Sequence, residues 1–318
     1  MTVSLSPAPV KAAPPRGRQR RSITARRDNR AGLALVLPVT IIVIVVIIIP
    51  IIWNVILAFQ QTDFTSVATN GIFNPFTLDN FVGVLTDAGF WSSLGTTVIY
   101  SVGGTAGSIT LGLVAAIAFR KPFRGRGLAR AVMLLPYVAP VVAAAFVWQI
   151  MLNPQFGIVN AVGTHLLGWS DPVNFLGKAP NALITVIVFE IWRYFPFAFL
   201  FITARLVGLP KDVEEAATVD GATPLQNFRF IVLPQLLPVI ALLSVLRLIM
   251  NFNKFDDIYL LTGGGAGTEV AAVRVYDTLL GDFDIGGAAA NALVLSAILA
   301  VSLLIYVRFF VNRGSEDS

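Results

Sequence analysis

Glu190 and Arg193 stand three residues apart in one long apolar stretch, and Arg247, Asn251 and Lys254 follow steps of four and three in another. On a helix each set shares one face. A charge at the centre of a membrane helix costs roughly 2.5–3.5 kcal/mol on insertion scales, so residues of this kind mark function or specific pairing. Glu190 and Arg193 are spaced to neutralise each other in part. Asp257 follows Lys254 by three residues and is placed to pair with it. Arg247 falls near the middle of its stretch, and Lys254 lies roughly 10 Å further along at 1.5 Å per residue. Two uses stay open at this point. The charges glue helices together, or they line a polar path along which a solute meets donors and acceptors. Covalent chemistry has little support. The chain has no Cys and one His, His165, which reads as a solvated loop residue, so no metal set or nucleophile–base pair forms around it. The glycine-rich "TGGGAGT" lacks the Gly-Lys-Ser/Thr ending of a phosphate-binding loop.

The elements that must carry these residues follow from composition. The chain has 318 residues, 56% hydrophobic and 13% charged, against about 25% charged in soluble domains. A span needs roughly 20 mostly apolar residues, and lipid forces the backbone to bond within itself. Six stretches qualify as helices: 31–59, 91–119, 129–151, 181–206, 234–261 and 287–311. The expected fold is an all-α membrane protein with six transmembrane helices. The first stretch exceeds the roughly 7–15-residue core of a signal peptide and reads as an uncleaved span. Gly103, Gly104, Gly107 and Gly112 in the second read as points of close helix packing.

Lys and Arg set the orientation. They crowd residues 1–30, the loop Arg120–Arg130, the segment 205–229 and the end of the chain, whereas the opposite loops hold only Lys178 and Arg274. The positive-inside rule then places both termini in the cytoplasm, with a disordered basic tail at 1–30, a polar loop at 207–233 and a short tail at 312–318. The basic balance, net +5, is read as membrane orientation and not as a nucleic-acid surface.

The loop contains "EEAATVDGATPLQNFRFIVLP". Asp212 is a candidate cap for a helix that Gly221 ends. Thr223 is a candidate N-cap for a second helix with Pro224 at its first position. Taken alone, this is a helix–turn–helix connector on the cytoplasmic face.

Its spacing is more specific. Glu215-Ala216-Ala217, then Gly221, then Ile231-x-Leu233-Pro234 resembles the EAA loop of permease subunits in ATP-binding-cassette (ABC) importers. "RAVMLLPYVAPVVAAAFVWQIMLNPQFGIVN", "IWRYFPFAFLFITARL" and "NFNKFDDIYLLTGGGAGT" resemble the carbohydrate-uptake branch of that family, close to the larger permease of the maltose importer, over roughly residues 32–311. The resemblance implies the type I ABC importer permease fold in a bacterial inner membrane. It implies as partners a second permease, two ATPase subunits and an extracytoplasmic solute-binding protein. ATP and Mg would be held by the ATPases, and no cofactor, metal or nucleic acid by this chain. Glu214, Glu215, Ala216, Ala217, Asp220 and Gly221 would form a coupling helix on an ATPase. Laid on the maltose permease's sugar contacts, the matching positions are Glu190, Arg193, Tyr194, Phe197, Arg247, Met250, Asn251 and Lys254. Charges stand here where that pattern has neutral residues. A neutral sugar is the expected solute. An anionic polyol phosphate or acidic sugar is the alternative, and an ion-driven carrier using Glu190 is a more distant one.

Overall fold

Two prolines explain the least regular turns of the long helices. The computed structural model describes residues 35–310, and the expectations for the two tails lie outside them. The first helix, α1, runs Leu35–Ala58 and includes a π-helical turn at Ile44–Ile48. Pro50 follows, and its ring would strike the carbonyl of Val46, which the widened turn contains. The helix Pro224–Phe252 repeats the arrangement, with a π-helical turn at Phe228–Val232 around Phe230, four residues before Pro234. A widened turn is where a helix accommodates a proline without ending.

The remaining elements are α2 Phe64–Asn70, α3 Asp79–Thr86, α4 Ala88–Ala118, α5 Arg126–Val138, α6 Val141–Met151, α7 Ile158–His165, α8 Asn181–Val207, α9 Lys211–Val219, α10 Pro224–Phe252, α11 Asp256–Thr262, α12 Ala271–Leu280 and α13 Ile285–Phe310. No strand occurs among the described residues, only two isolated bridges. The chain divides into two compact units at residue 54. The described part of the first, 35–54, is apolar helix with no buried residue.

Among the described residues five helices are long and apolar enough to span, α1, α4, α8, α10 and α13, and the bent pair α5 and α6 makes a sixth if it counts as one span. The stretch expected at 129–151 is broken into the pair α5 and α6, bent by 96°. Ala139 is extended at ψ 138°, as the residue before a proline prefers, and Pro140 opens α6. The stretch expected at 234–261 also divides. It begins ten residues earlier, at Pro224, and stops at Phe252, and the chain restarts as α11.

Within the second unit, α4 and α8 pack along their lengths, and α10 lies against α4. One core layer joins Ile109 and Ala116 of α4, Phe199 and Ile202 of α8, and Leu236 and Leu243 of α10. A second joins Tyr100, Val186, Phe189, Ile258 and Val273. Small residues permit this approach. A Cβ at Gly112 would lie 2.6 Å from the Ala198 Cβ, 2.8 Å from the Phe199 nitrogen and 2.9 Å from the Phe195 oxygen. Backbone cannot yield as a flexible side chain does. Gly112→Ala should therefore cost on the order of 1–3 kcal/mol, read as a lower unfolding midpoint of the detergent-purified chain. An unchanged midpoint would show that the α4–α8 contact gives way freely at this point.

Candidate functional site

The intramembrane charges converge where α4, α8 and α10 meet. Tyr100 and Thr105 lie near the centre of the 31-residue α4, so the cluster sits near mid-membrane. Glu190 is fully buried, and one carboxylate oxygen accepts from the Tyr100 hydroxyl at 3.1 Å. Its other oxygen accepts from the Arg247 guanidinium. The same Arg247 nitrogen donates to Asn251 Oδ1 at 3.0 Å, and Asn251 Nδ2 donates to Thr105 Oγ1 at 3.2 Å. One chain of bonds thus stitches three helices together. Gly104 makes room for it: a Cβ there would fall 2.8 Å from Glu190 Cγ.

A second set adjoins the first through Tyr194. Arg247 lies over the Tyr194 ring, its Cζ 4.0 Å from the centroid, and Lys254 Nζ is 4.7 Å from the same centroid. Lys254 donates to the Tyr194 hydroxyl at 2.7 Å and pairs with Asp256 at 3.1 Å and Asp257 at 3.3 Å. Arg193 meets Asp257 at 3.9 Å. A cation held over an aromatic face is stabilised by the ring quadrupole, more so when desolvated.

The three-residue step gives the Lys254–Asp257 pair correctly, but the Glu190–Arg193 pairing suggested by spacing does not form. The ion-pair partner of Glu190 is Arg247 on another helix, and Arg193 turns to Asp257. Asp257 is fully buried in the cluster and Asp256 stands at its edge, so three cations face three carboxylates. Lys254 lies beyond the end of α10, in the link to α11. Tyr194 and Phe197 are half-buried and Met250 is exposed, with its Sδ 3.9 Å from an Arg247 nitrogen. Tyr137, at the end of α5, approaches Tyr194 and Phe197 with ring centroids 5.9 and 6.0 Å apart. Tyr100, Thr105 and Tyr137 were not singled out in the sequence. The small residues flanking Tyr100 and Thr105 were the one signal of a close helix contact there.

The polar segment forms a second feature. Pro210 precedes α9 without a side-chain cap, and Asp212 falls inside the first turn, which corrects its reading as the cap. The helix ends as the sequence suggests. Gly221 adopts φ +85°, its N–H donates to Thr218 O at 3.1 Å, and the Ala222 N–H donates to Ala217 O at 2.9 Å. This is the Schellman arrangement, which a left-handed glycine permits without a Cβ clash. Thr223 and Gln226 then cap α10 reciprocally, with Pro224 at its first position. Glu214 and Glu215 part ways. Glu214 makes a two-pronged pair with Arg120, just past the end of α4, and its backbone oxygen accepts from Asn227 at 3.3 Å. Glu215, Ala216 and Asp220 are exposed, as are Val213 and Val219, while Ala217 is half-buried.

His165 closes α7 and is exposed, and no cluster of metal-ligating side chains occurs among the described residues. On the opposite side of the molecule from α9, Asp87 caps α4. The Gly89 amide holds its carboxyl below the usual carboxylate range against the opposing effect of burial, with Arg274 helping.

Comparison with known proteins gives a consistent result. A family model described as binding-protein-dependent transport system inner membrane component matches residues 108–316. The inner membrane ABC transporter permease protein YcjO of Escherichia coli K12 is 36% identical over 294 residues, 92% of this chain and 98% of that protein. The trehalose/maltose transport system permease protein MalF of Thermococcus litoralis is 34% identical over 296 residues, 92% and 96% of the two chains. The fold is similar to a chain in the crystal structure of a bacterial alginate ABC transporter in complex with alginate pentasaccharide-bound periplasmic protein. The TM-score is 0.79 at 22% identity, covering 91% of this chain and 96% of that one.

Proposed function

We propose, from the premise that this chain belongs to the binding-protein-dependent transport system inner membrane components, that it forms one half of the translocation path for a neutral carbohydrate. As a multi-pass permease of that family it works beside a second permease. An extracytoplasmic binding protein delivers the solute, and two ATPase subunits on the cytoplasmic side supply the energy. The chain performs no bond chemistry of its own; ATP and Mg belong to the ATPases.

The observation that carries the choice of solute is the charge balance of the mid-membrane cluster. Arg193, Arg247 and Lys254 are each matched by Glu190, Asp256 or Asp257 within 4 Å. An anionic solute would have to displace one of these carboxylates. A neutral sugar needs only an aromatic surface and hydrogen-bonding groups at its edge, and the half-buried rings of Tyr194 and Phe197, with Lys254 at the Tyr194 hydroxyl, supply both.

The ATPase contact is assigned to the outer face of α9, where Glu215 would meet a basic side chain and Val213 and Val219 an apolar groove. Alternating access needs a lever that does not bend. The Arg120–Glu214 pair and the Gly221 turn support that role.

Uptake into vesicles by the assembled transporter tests the solute. A neutral disaccharide or short oligosaccharide should be taken up and should compete with other neutral sugars. A glycerophosphate in excess should leave uptake unchanged. Exclusive transport of the anion would overturn the neutral reading.

A further inference from the structure

A cleft of about 300 Å³ opens between the end of α4, the start of α5 and the end of α8. Arg120, Arg126 and Thr203 line its polar side, and Ala116, Leu206 and Val207 its apolar side. Its depth follows from helix geometry. Ala116 lies thirteen residues from the midpoint of α4 at Gly103, roughly 20 Å at 1.5 Å per residue. Half the hydrocarbon thickness is about 15 Å. The cleft therefore sits at headgroup level, on the side of the basic loop.

Its polar groups are not all spoken for. Arg120 is engaged by Glu214. The Oγ1 of Thr203 and the Nε of Arg126 are buried and have no hydrogen-bond partner. Arg126 makes no ion pair among the described residues, and Lys121, Arg124 and Arg130 add positive charge nearby. The Thr203 Oγ1 and the Arg126 Nε are closed off from the cleft, so a ligand there meets the outer end of the half-buried Arg126 guanidinium. Val207 is 77% exposed and continues the apolar side outward.

We infer that the cleft is a binding site for the phosphate of an anionic phospholipid. The guanidinium of Arg126 meets the phosphate, and the glycerol and upper acyl chain run along Leu206 and Val207. Basic pockets at the ends of membrane helices take acidic headgroups on this principle. The apolar side distinguishes a lipid from a free anion, since inorganic phosphate has nothing to place against Leu206 and Val207.

The test is native mass spectrometry of the full-length chain in detergent, titrated with phosphatidylglycerol, phosphatidylcholine or inorganic phosphate. Phosphatidylglycerol should be retained in preference to phosphatidylcholine, and millimolar phosphate should not displace it. Arg126→Gln should weaken retention about fivefold, the effect of one basic residue near an acidic lipid surface. Val207→Glu, at an exposed position that leaves the core intact, should weaken it at least as much by placing a carboxylate beside the headgroup. Equal retention of the two lipids would overturn the site. So would wild-type retention by both variants. Displacement of the lipid by inorganic phosphate would show a free-anion site and overturn the lipid assignment.

Discussion

Replacing Arg247 by Met should destabilise the chain by on the order of 3–5 kcal/mol, the cost of stranding one partner of a buried ion pair. Arg247 is 1% exposed and Glu190 0%. Without the guanidinium, the Glu190 carboxylate keeps the Tyr100 hydroxyl as a hydrogen-bond donor but loses its cation. Asn251 Oδ1 loses its donor, and the Tyr194 ring loses the cation over its face. Thermal unfolding of the detergent-purified protein should show a markedly lower midpoint. Adding Glu190→Gln to Arg247→Met should recover part of the loss, because the uncompensated charge disappears while the amide still bonds to Tyr100. If the single variant unfolds at the wild-type temperature, the network is no structural element. If the double variant is worse than the single, the penalty does not come from a stranded carboxylate.

The second large effect is expected at the polar loop and should leave stability alone. Glu215→Lys reverses a charge that is exposed and makes no ion pair among the described residues. At an ATPase interface the loss of a charge pair costs about 2–5 kcal/mol, or at least about thirtyfold in affinity. The assembled transporter should then hydrolyse ATP without moving solute, or lose its ATPase, while the isolated chain keeps its unfolding midpoint. Gly221→Val should give the same loss of transport by another route. A β-branched residue at φ +85° is a steric outlier, so the end of α9 must rearrange. Full transport by Glu215→Lys and Gly221→Val together would remove α9 from the coupling step.

Hydropathy made the long spans legible, because each is a local property of some twenty residues. It missed the break between α5 and α6 because a window average does not register a single proline. Pro140, four residues after Pro136, was the local cue. The site was legible in part. Buried charges announce themselves in an apolar stretch, and the spacing also gives the Lys254–Asp257 pair, but partners on other helices do not show. Glu190 and Arg247 are 57 residues apart and pair directly across two helices, whereas Arg193, one turn away from Glu190, points to Asp257. Direct contact through space outweighs nearness along a helix. In the loop, Glu214 and Glu215 are adjacent and chemically alike. The one that turns inward is paired with Arg120, 94 residues earlier, which no local reading of the loop includes.

That last contact bears on how such proteins can be recombined. The loop 207–233 is contiguous in sequence and invites transfer into another permease as a cassette. Its working geometry is not contained in the cassette. Glu214 answers to Arg120 at the end of α4, so a chimera that receives the loop without an arginine at the equivalent place inherits a half-buried carboxylate with no counter-charge. The transferable unit is discontinuous: α9, its turn, and one residue just past the end of a different helix.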